Sequence, residues 1–225
     1  LTGTFPSIDT SSATRVDSGW KNCSGLTTFP LINTSSVTNF DQSWNGCTGL
    51  TTFPLINTSS GTDFGDTWNG CSGLTAFPAL NFSNGTDFSL AWKNCSGLTT
   101  FPSVDFSSAT TFNNAWRSCT LLSTYPANQF DTTGTLASNG LQSSWLGCAL
   151  TAQSIENILT SLDTNGQQNI ALNINTGTNA DASTWSTDAI IAYRNLNNKG
   201  WTISQNGTPS MSELEYTISN SGTSF

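Results

Sequence analysis

Apolar side chains recur with a 24-residue period along the first two thirds of the chain. Each tryptophan of the pattern is followed by a cysteine three residues later, a leucine six residues later and an aromatic residue nine residues later. One repeat unit of this length cannot bury its own apolar face, whereas several stacked units can. The period therefore predicts a repeat solenoid. Its two most regular columns are Trp20, Trp44, Trp68, Trp92 and Trp116, and Cys23, Cys47, Cys71, Cys95 and Cys119.

We interpret the tryptophan and cysteine columns as a structural ladder inside the solenoid. Residues of one column point the same way, and parallel side-chain vectors fit disulfide geometry poorly. Zinc sites use C-x-x-C spacings, and the chain contains none. The cysteines are therefore expected to act as small buried apolar residues. A sixth unit, which ends in Trp145 and Cys148, follows after five additional residues.

Polar residues share the same period. In each unit an aspartate or asparagine precedes a serine by two positions, which predicts an Asx turn. A threonine column three residues further on predicts hydroxyls that satisfy backbone groups at the corners. These columns are Asp9, Asn33, Asn57, Asn81 and Asp105; Ser11, Ser35, Ser59, Ser83 and Ser107; and Thr14, Thr38, Thr62, Thr86 and Thr110.

The period ends after Cys148, and helical spacing replaces it. Apolar residues at positions i, i+3, i+4 and i+7 predict a helix over residues 152–164, with Thr151 or Ser154 as its cap. A second amphipathic pattern predicts a helix over residues 187–198.

Two strands are predicted in the same region, one with alternating apolar residues over 170–174 and one that begins at Trp201. A strand, a helix and a further parallel strand pack back on the same sheet. We therefore divide the chain into a solenoid over residues 1–148, an α/β cap over 149–204 that extends its sheet, and a polar tail or linker over 205–225.

The motif W-x-x-C-[ST]-x-L-T-x-[FY]-P closely resembles the leucine-rich repeats of the BspA-like type. The resemblance covers about residues 1–148. It implies a solenoid of leucine-rich-repeat-like parallel β coils, found in surface proteins used for attachment, and it implies no chemistry. The stretches "SIENILTSLDTNG", "ALNINTGTNA" and "NKGWTIS" are also similar to a module of cyanophage and other marine phage structural proteins. This second resemblance favours a virion component.

Charge is scarce, with 9% charged residues and a net charge of -8. Binding to nucleic acid needs clustered Lys and Arg, but the chain has only six, and they are scattered. No window of 18 apolar residues predicts a membrane-spanning helix, so we expect neither nucleic acid nor membrane insertion. Low charge with abundant Ser, Thr and Asn favours an extracellular or virion-surface location.

Catalytic chemistry has little support. The chain has no histidine, which removes the commonest general base and the Ser-His-Asp arrangement. Asp41, Asp63, Asp66 and Asp87 could cluster as the carboxylates of a glycosidase, but we interpret them as a solvated acidic edge. We therefore predict no catalytic residue, no metal site, no cofactor and no enzymatic activity.

The leading hypothesis is a non-catalytic surface structural or adhesion protein, a virion appendage or decoration such as a tail fibre or capsid-associated protein. Adjacent strand residues alternate, so at least one of two threonine lines should face solvent and bind a partner. The same threonines could instead only keep the sheet soluble. The alternatives are an ice-binding solenoid and, less favoured, a polysaccharide-processing enzyme. The candidate surface is Thr27, Thr28, Thr51, Thr52, Thr75, Thr99, Thr100 and Thr124.

The expected partners follow from the repeats. The chain opens at Leu1 inside a unit, so we expect upstream repeats or other protein subunits to cover an open N-terminal edge. A host-surface protein or glycan is the expected partner of the threonine lines.

Overall fold

The computed structural model describes residues 2–5 and 8–210. β1 pairs with β2, and β3 pairs with β4, both in parallel and in two separate sheets. The predicted tail from residue 211 onward, and the start of the first unit at Leu1, lie outside the described residues. The elements are β1 (Thr2–Thr4), β2 (Gly25–Thr28), α1 (Ala152–Asn165), β3 (Ala171–Ile174), the 3₁₀ turn Ala182–Thr184, α2 (Thr187–Asn198) and β4 (Thr202–Gln205).

The predicted fold class, a repeat solenoid of leucine-rich-repeat-like parallel β coils, is wrong. In the described part of residues 1–148, the only paired strands are β1 and β2. Elsewhere the repeat units meet through isolated bridges, such as those between Asn39 and Asp63 and between Thr100 and Thr124. The expected continuous sheet, and its extension by the C-terminal strands, is replaced by two small sheets.

The backbone around each tryptophan winds through tight turns, which is why strands do not form there. In the unit around Trp44, Gln42 and Gly46 have φ of 56° and 77°, in the left-handed region that interrupts an extended run. Backbone N–H groups at alternate positions then donate to two different places, one within the same unit and one in the next unit. Asn45 donates to the carbonyl of Gln42 at 3.1 Å, whereas Trp44 donates to that of Thr67 in the next unit at 2.9 Å. Proline after each unit's aromatic residue removes a further backbone donor.

Aromatic rings stack through the core of the repeat units. Neighbouring indoles from Trp20 to Trp145 are nearly parallel, with ring centroids 5.1–5.9 Å apart. A phenylalanine of the same unit lies perpendicular to each of the first four indoles, at 4.7–4.9 Å. Offset-stacked and T-shaped pairs are the favourable arrangements of aromatic side chains. The units therefore share one core although they share almost no sheet.

The polar columns form the turns that their spacing predicts. The N–H of Ser35 donates to Oδ1 of Asn33 at 3.1 Å, and the same bond recurs in four other units. The hydroxyl of Thr38 donates to the carbonyl of Thr14 at 3.3 Å, and three further threonines of its column repeat this contact. The predicted Asx turns and backbone-satisfying hydroxyls are confirmed.

Both predicted C-terminal helices are confirmed, to within one residue for α1. The Thr151 hydroxyl accepts the N–H of Ser154 at the start of α1, and Gly166 ends the helix with φ of 81°. The two helices pack on each other. β3 lies against the last repeat unit through a bridge between Leu141 and Leu172, so this segment is joined to the aromatic core.

Candidate functional site

The eight predicted threonines all lie exposed on one side of the repeat units. They sit between two buried side chains, which in the first complete copy are Leu26 and Phe29, 1% and 6% exposed. Both residues of each threonine pair face solvent, because this stretch does not alternate as a regular strand would. We call this surface the threonine face, and it consists of Thr27, Thr28, Thr51, Thr52, Thr75, Thr99, Thr100 and Thr124.

The first line of the threonine face consists of Thr27, Thr51, Thr75 and Thr99, and the second line consists of Thr28, Thr52, Thr100 and Thr124. The two lines differ in what their hydroxyls contact. In the first line, Thr51 donates to the carbonyl of Thr27 at 3.3 Å, and Thr99 donates to that of Thr75 at 3.2 Å. These hydroxyls therefore help to hold neighbouring units together. In the second line, the hydroxyls of Thr52, Thr100 and Thr124 make no hydrogen bond within residues 2–5 and 8–210. A partner could bond to the hydroxyls of Thr52, Thr100 and Thr124 without breaking an internal hydrogen bond.

A shallow depression interrupts the second line at Ala76. It is open to solvent, has a volume of about 250 Å³, and is lined by residues that include Thr52, Thr75, Phe53 and Phe77. The two phenylalanines are 7% and 6% exposed, so their rings lie just beneath the surface. The threonine face is therefore regular but not flat.

Exposed leucines lie beside the threonine face, and the sequence analysis missed them. Leu31 and Leu55 are 69% and 65% exposed, whereas the following Ile32 and Ile56 are buried. Each leucine follows the proline of its unit. One signal could have revealed them: Ile32 and Ile56, one position later in each unit, already fill the inward position at this turn. The leucines are therefore free to face solvent, and each adds exposed apolar surface three residues after the second threonine line of its unit.

Five cysteines lie in the buried core, at 0% exposure. Each of these thiols donates to the carbonyl of the tryptophan of the preceding unit at 3.1 Å. Burial raises the pKa of Cys47 to about 11 and of Cys95 and Cys148 to about 12. It also raises the pKa of Cys71 and Cys119 well above the ordinary range. The buried column keeps its thiols protonated and inaccessible to reagents.

Cys23 differs from the rest of the cysteine column, because it is only half-buried. The tryptophan column is buried at every position, from Trp20 at 5% exposure to Trp116 at 0%. Among the described residues all six cysteines are free. The first unit therefore presents one partly accessible thiol.

The four candidate carboxylates accept hydrogen bonds from neighbouring side-chain amides and backbone N–H groups. Asp63 accepts from the amide of Asn39 and from the N–H of Gly65, both at 3.0 Å. Asp87 accepts from a backbone N–H two residues later at 2.7 Å, and Asp66 from the amide of Asn69 at 2.6 Å. Burial, and secondly the charge of Asp63, raise the pKa of Asp41 above its ordinary value. Within the described residues, no group of three acidic or cysteine side chains is placed to hold a metal ion.

In the described part of the chain, neither helix is both long and apolar enough to cross a membrane. Comparison with protein-family models, with curated proteins and with solved structures found no match for this chain. The resemblances to BspA-like repeats and to phage structural modules therefore stay predictions.

Proposed function

We propose that the chain is a non-catalytic attachment protein of a virion or cell surface, and that its threonine face binds the partner. The observation that carries the proposal is the pair of exposed threonine lines, which recur in successive repeat units. The indoles of the core beneath lie 5.1–5.9 Å apart from unit to unit, so the threonines recur at short, similar intervals. A partner with a similar repeat can make the same contact several times, and linked weak contacts add to a strong one.

The chemistry of the face supports short-range polar and apolar contacts. Thr52, Thr100 and Thr124 offer unpaired hydroxyls, and a β-branched side chain loses little rotamer freedom on binding. Leu31 and Leu55 add apolar area beside them. The threonine face itself carries no charge, so affinity for the partner should depend only weakly on ionic strength.

A pair of charge substitutions tests the proposal. The double variant Thr52→Glu/Thr100→Glu places two carboxylates on the second threonine line. The matched control, Thr132→Glu/Thr178→Glu, adds the same charge at two exposed threonines outside the threonine face, whose hydroxyls also make no hydrogen bond within the described residues. Binding of the labelled chain to a glycan array and to immobilised bacterial envelopes is measured. We expect binding by the parent, a loss of at least about tenfold in the first variant, and little change in the control.

Equal binding by the two variants would contradict the proposal. Absence of binding by the parent to every immobilised surface would contradict it as well. Retention on a glycan spot would identify a carbohydrate partner, whereas retention on envelopes that protease treatment abolishes would identify a protein.

Ice is a second candidate ligand, because both threonine lines are exposed at a regular spacing. The depression at Ala76 makes the face less flat than a crystal plane. Thermal hysteresis of the parent, lost in Thr52→Glu/Thr100→Glu, would support ice binding. A freezing point equal to that of a buffer with an inert protein would exclude it.

A further inference from the structure

Backbone hydrogen bonds between repeat units run in one direction through each tryptophan segment. Around Trp44, the N–H groups of Phe40, Gln42, Trp44 and Gly46 donate to carbonyls of the next unit at 2.7–2.9 Å. The same four-bond pattern recurs at all five junctions between the units that end at Trp20 and Trp145. Within the tryptophan segment, each unit therefore offers N–H groups to the unit that follows and carbonyl groups to the unit that precedes.

In the first unit, the backbone carbonyls that would accept these hydrogen bonds have no donor within the described part of the chain. We call the carbonyls of Arg15, Asp17, Gly19 and Lys21 the N-terminal edge. These carbonyls occupy the acceptor positions of the pattern, and none of them accepts a hydrogen bond within the described part of the chain.

Apolar residues at the N-terminal edge are also incompletely covered. Val16 and Cys23 are half-buried, whereas Phe40 and Cys47, which hold the same positions one unit later, are 0% exposed. An incoming unit would therefore bury apolar area as well as pair the carbonyls. The ion pair between Arg15 and Asp17 beside the edge is largely solvated, with side chains 63% and 40% exposed, so it contributes little against docking.

The opposite end of the stack is closed. The N–H of Ser143 donates to the side chain of Asn173 at 2.9 Å, and that of Gly147 donates to the carbonyl of Asn175 at 3.4 Å. These donors belong to the last unit, and β3 and the residue after it occupy them. A second copy of this chain therefore has no free donor row to place on the N-terminal edge. Two copies joined edge to edge would set carbonyl against carbonyl, which is repulsive.

We propose that the N-terminal edge is a docking site for one further 24-residue repeat unit that has the tryptophan and cysteine spacing of the described units. The occupant needs backbone N–H groups at alternate positions of a tryptophan segment. It also needs an aromatic side chain that stacks on Val16 and a cysteine that stacks on Cys23. The five internal junctions supply the template for this contact, and it does not depend on the function of the threonine face.

A fusion that continues the register tests the proposal. A copy of residues 49–72 is placed directly before Leu1, so that its tryptophan and cysteine fall one full repeat period before Trp20 and Cys23. The control fusion carries the same added segment in scrambled order. Both folded proteins are treated with iodoacetamide, and peptide mapping measures the rate of alkylation at each cysteine.

In the unfused chain we expect alkylation at Cys23 alone. In the register fusion, alkylation of Cys23 should slow at least about tenfold, and the reactive thiol should shift to the cysteine of the added unit. The scrambled fusion should leave Cys23 as reactive as in the unfused chain. Equal Cys23 rates in the two fusions would overturn the proposal, and so would a Cys23 that is already protected in the unfused chain.

Discussion

Alkaline pH should destabilise the protein steeply, because five protonated thiols lie in the core. Burial raises the pKa of Cys95 and Cys148 from 9.0 to about 12, and that of Cys47 to about 11. A raised pKa means that the folded state holds a proton that the unfolded state releases. The stabilisation is complete below pH 9 and is lost as the pH rises from there toward the folded-state pKa values.

The size of the effect follows from the number of thiols. At pH 10, each buried thiol whose pKa is 9.0 in the unfolded chain lowers the unfolding free energy by about 1.4 kcal/mol. Five thiols cost about 7 kcal/mol, which is comparable with the whole stability of a typical domain. Burial also raises the pKa of Tyr125, which adds to the loss above pH 10.

Urea unfolding, followed by tryptophan fluorescence from pH 7 to pH 10, measures this loss. Cys95→Ala removes one buried thiol, so its unfolding free energy should fall by about 1.4 kcal/mol less than that of the parent over the same range. Leu98→Ala serves as the control, because it removes a buried side chain at 0% exposure without a titratable group. Its pH profile should run parallel to that of the parent. Equal slopes for Cys95→Ala and the parent would refute a buried, protonated thiol column.

Two further predictions concern individual units. Thr58→Val removes a 1%-exposed hydroxyl that donates to the carbonyl of Asn81 at 2.6 Å, so it should lower the unfolding free energy by about 1–2 kcal/mol. Thr52→Val, on the exposed face, should cost less than about 0.5 kcal/mol in the same urea experiment, and equal costs would contradict the assignment. Gly73→Ala would place a Cβ 2.7 Å from the carbonyl oxygen of Thr48. It should lower the unfolding free energy by about 1–3 kcal/mol, and a neutral effect would show that the units are packed less closely.

The sequence reveals which side chains meet in the core, because apolar columns and helical spacing depend only on residue type and position. It does not reveal the path of the backbone between them. Leu90 adopts a φ of 62°, which its residue type does not predict. Comparable turns beside each tryptophan prevent the strands that the period predicts.

The same limit applies to the candidate site. Thr28 is exposed and Thr34 is 0% exposed, although the two residues are of the same type in the same unit. The difference arises because Thr34 turns inward and donates to the carbonyl of Asn57 at 2.6 Å in the next unit. The column of inward threonines, to which Thr10 and Thr58 also belong, was not recognised from the sequence.

In-register stacking of the repeat units is tested most directly by one distance. Spin labels at Thr28→Cys and Thr124→Cys, in a chain with Cys23→Ala, report by pulsed dipolar spectroscopy the distance across four repeat steps, from the first to the fifth of five successive units. The indole spacing of 5.1–5.9 Å per unit predicts roughly 22 Å and a narrow distribution, in line with close-packed neighbouring chains. A broad distribution, or a mean beyond about twice that distance, would contradict the stacked units and the threonine face that they form.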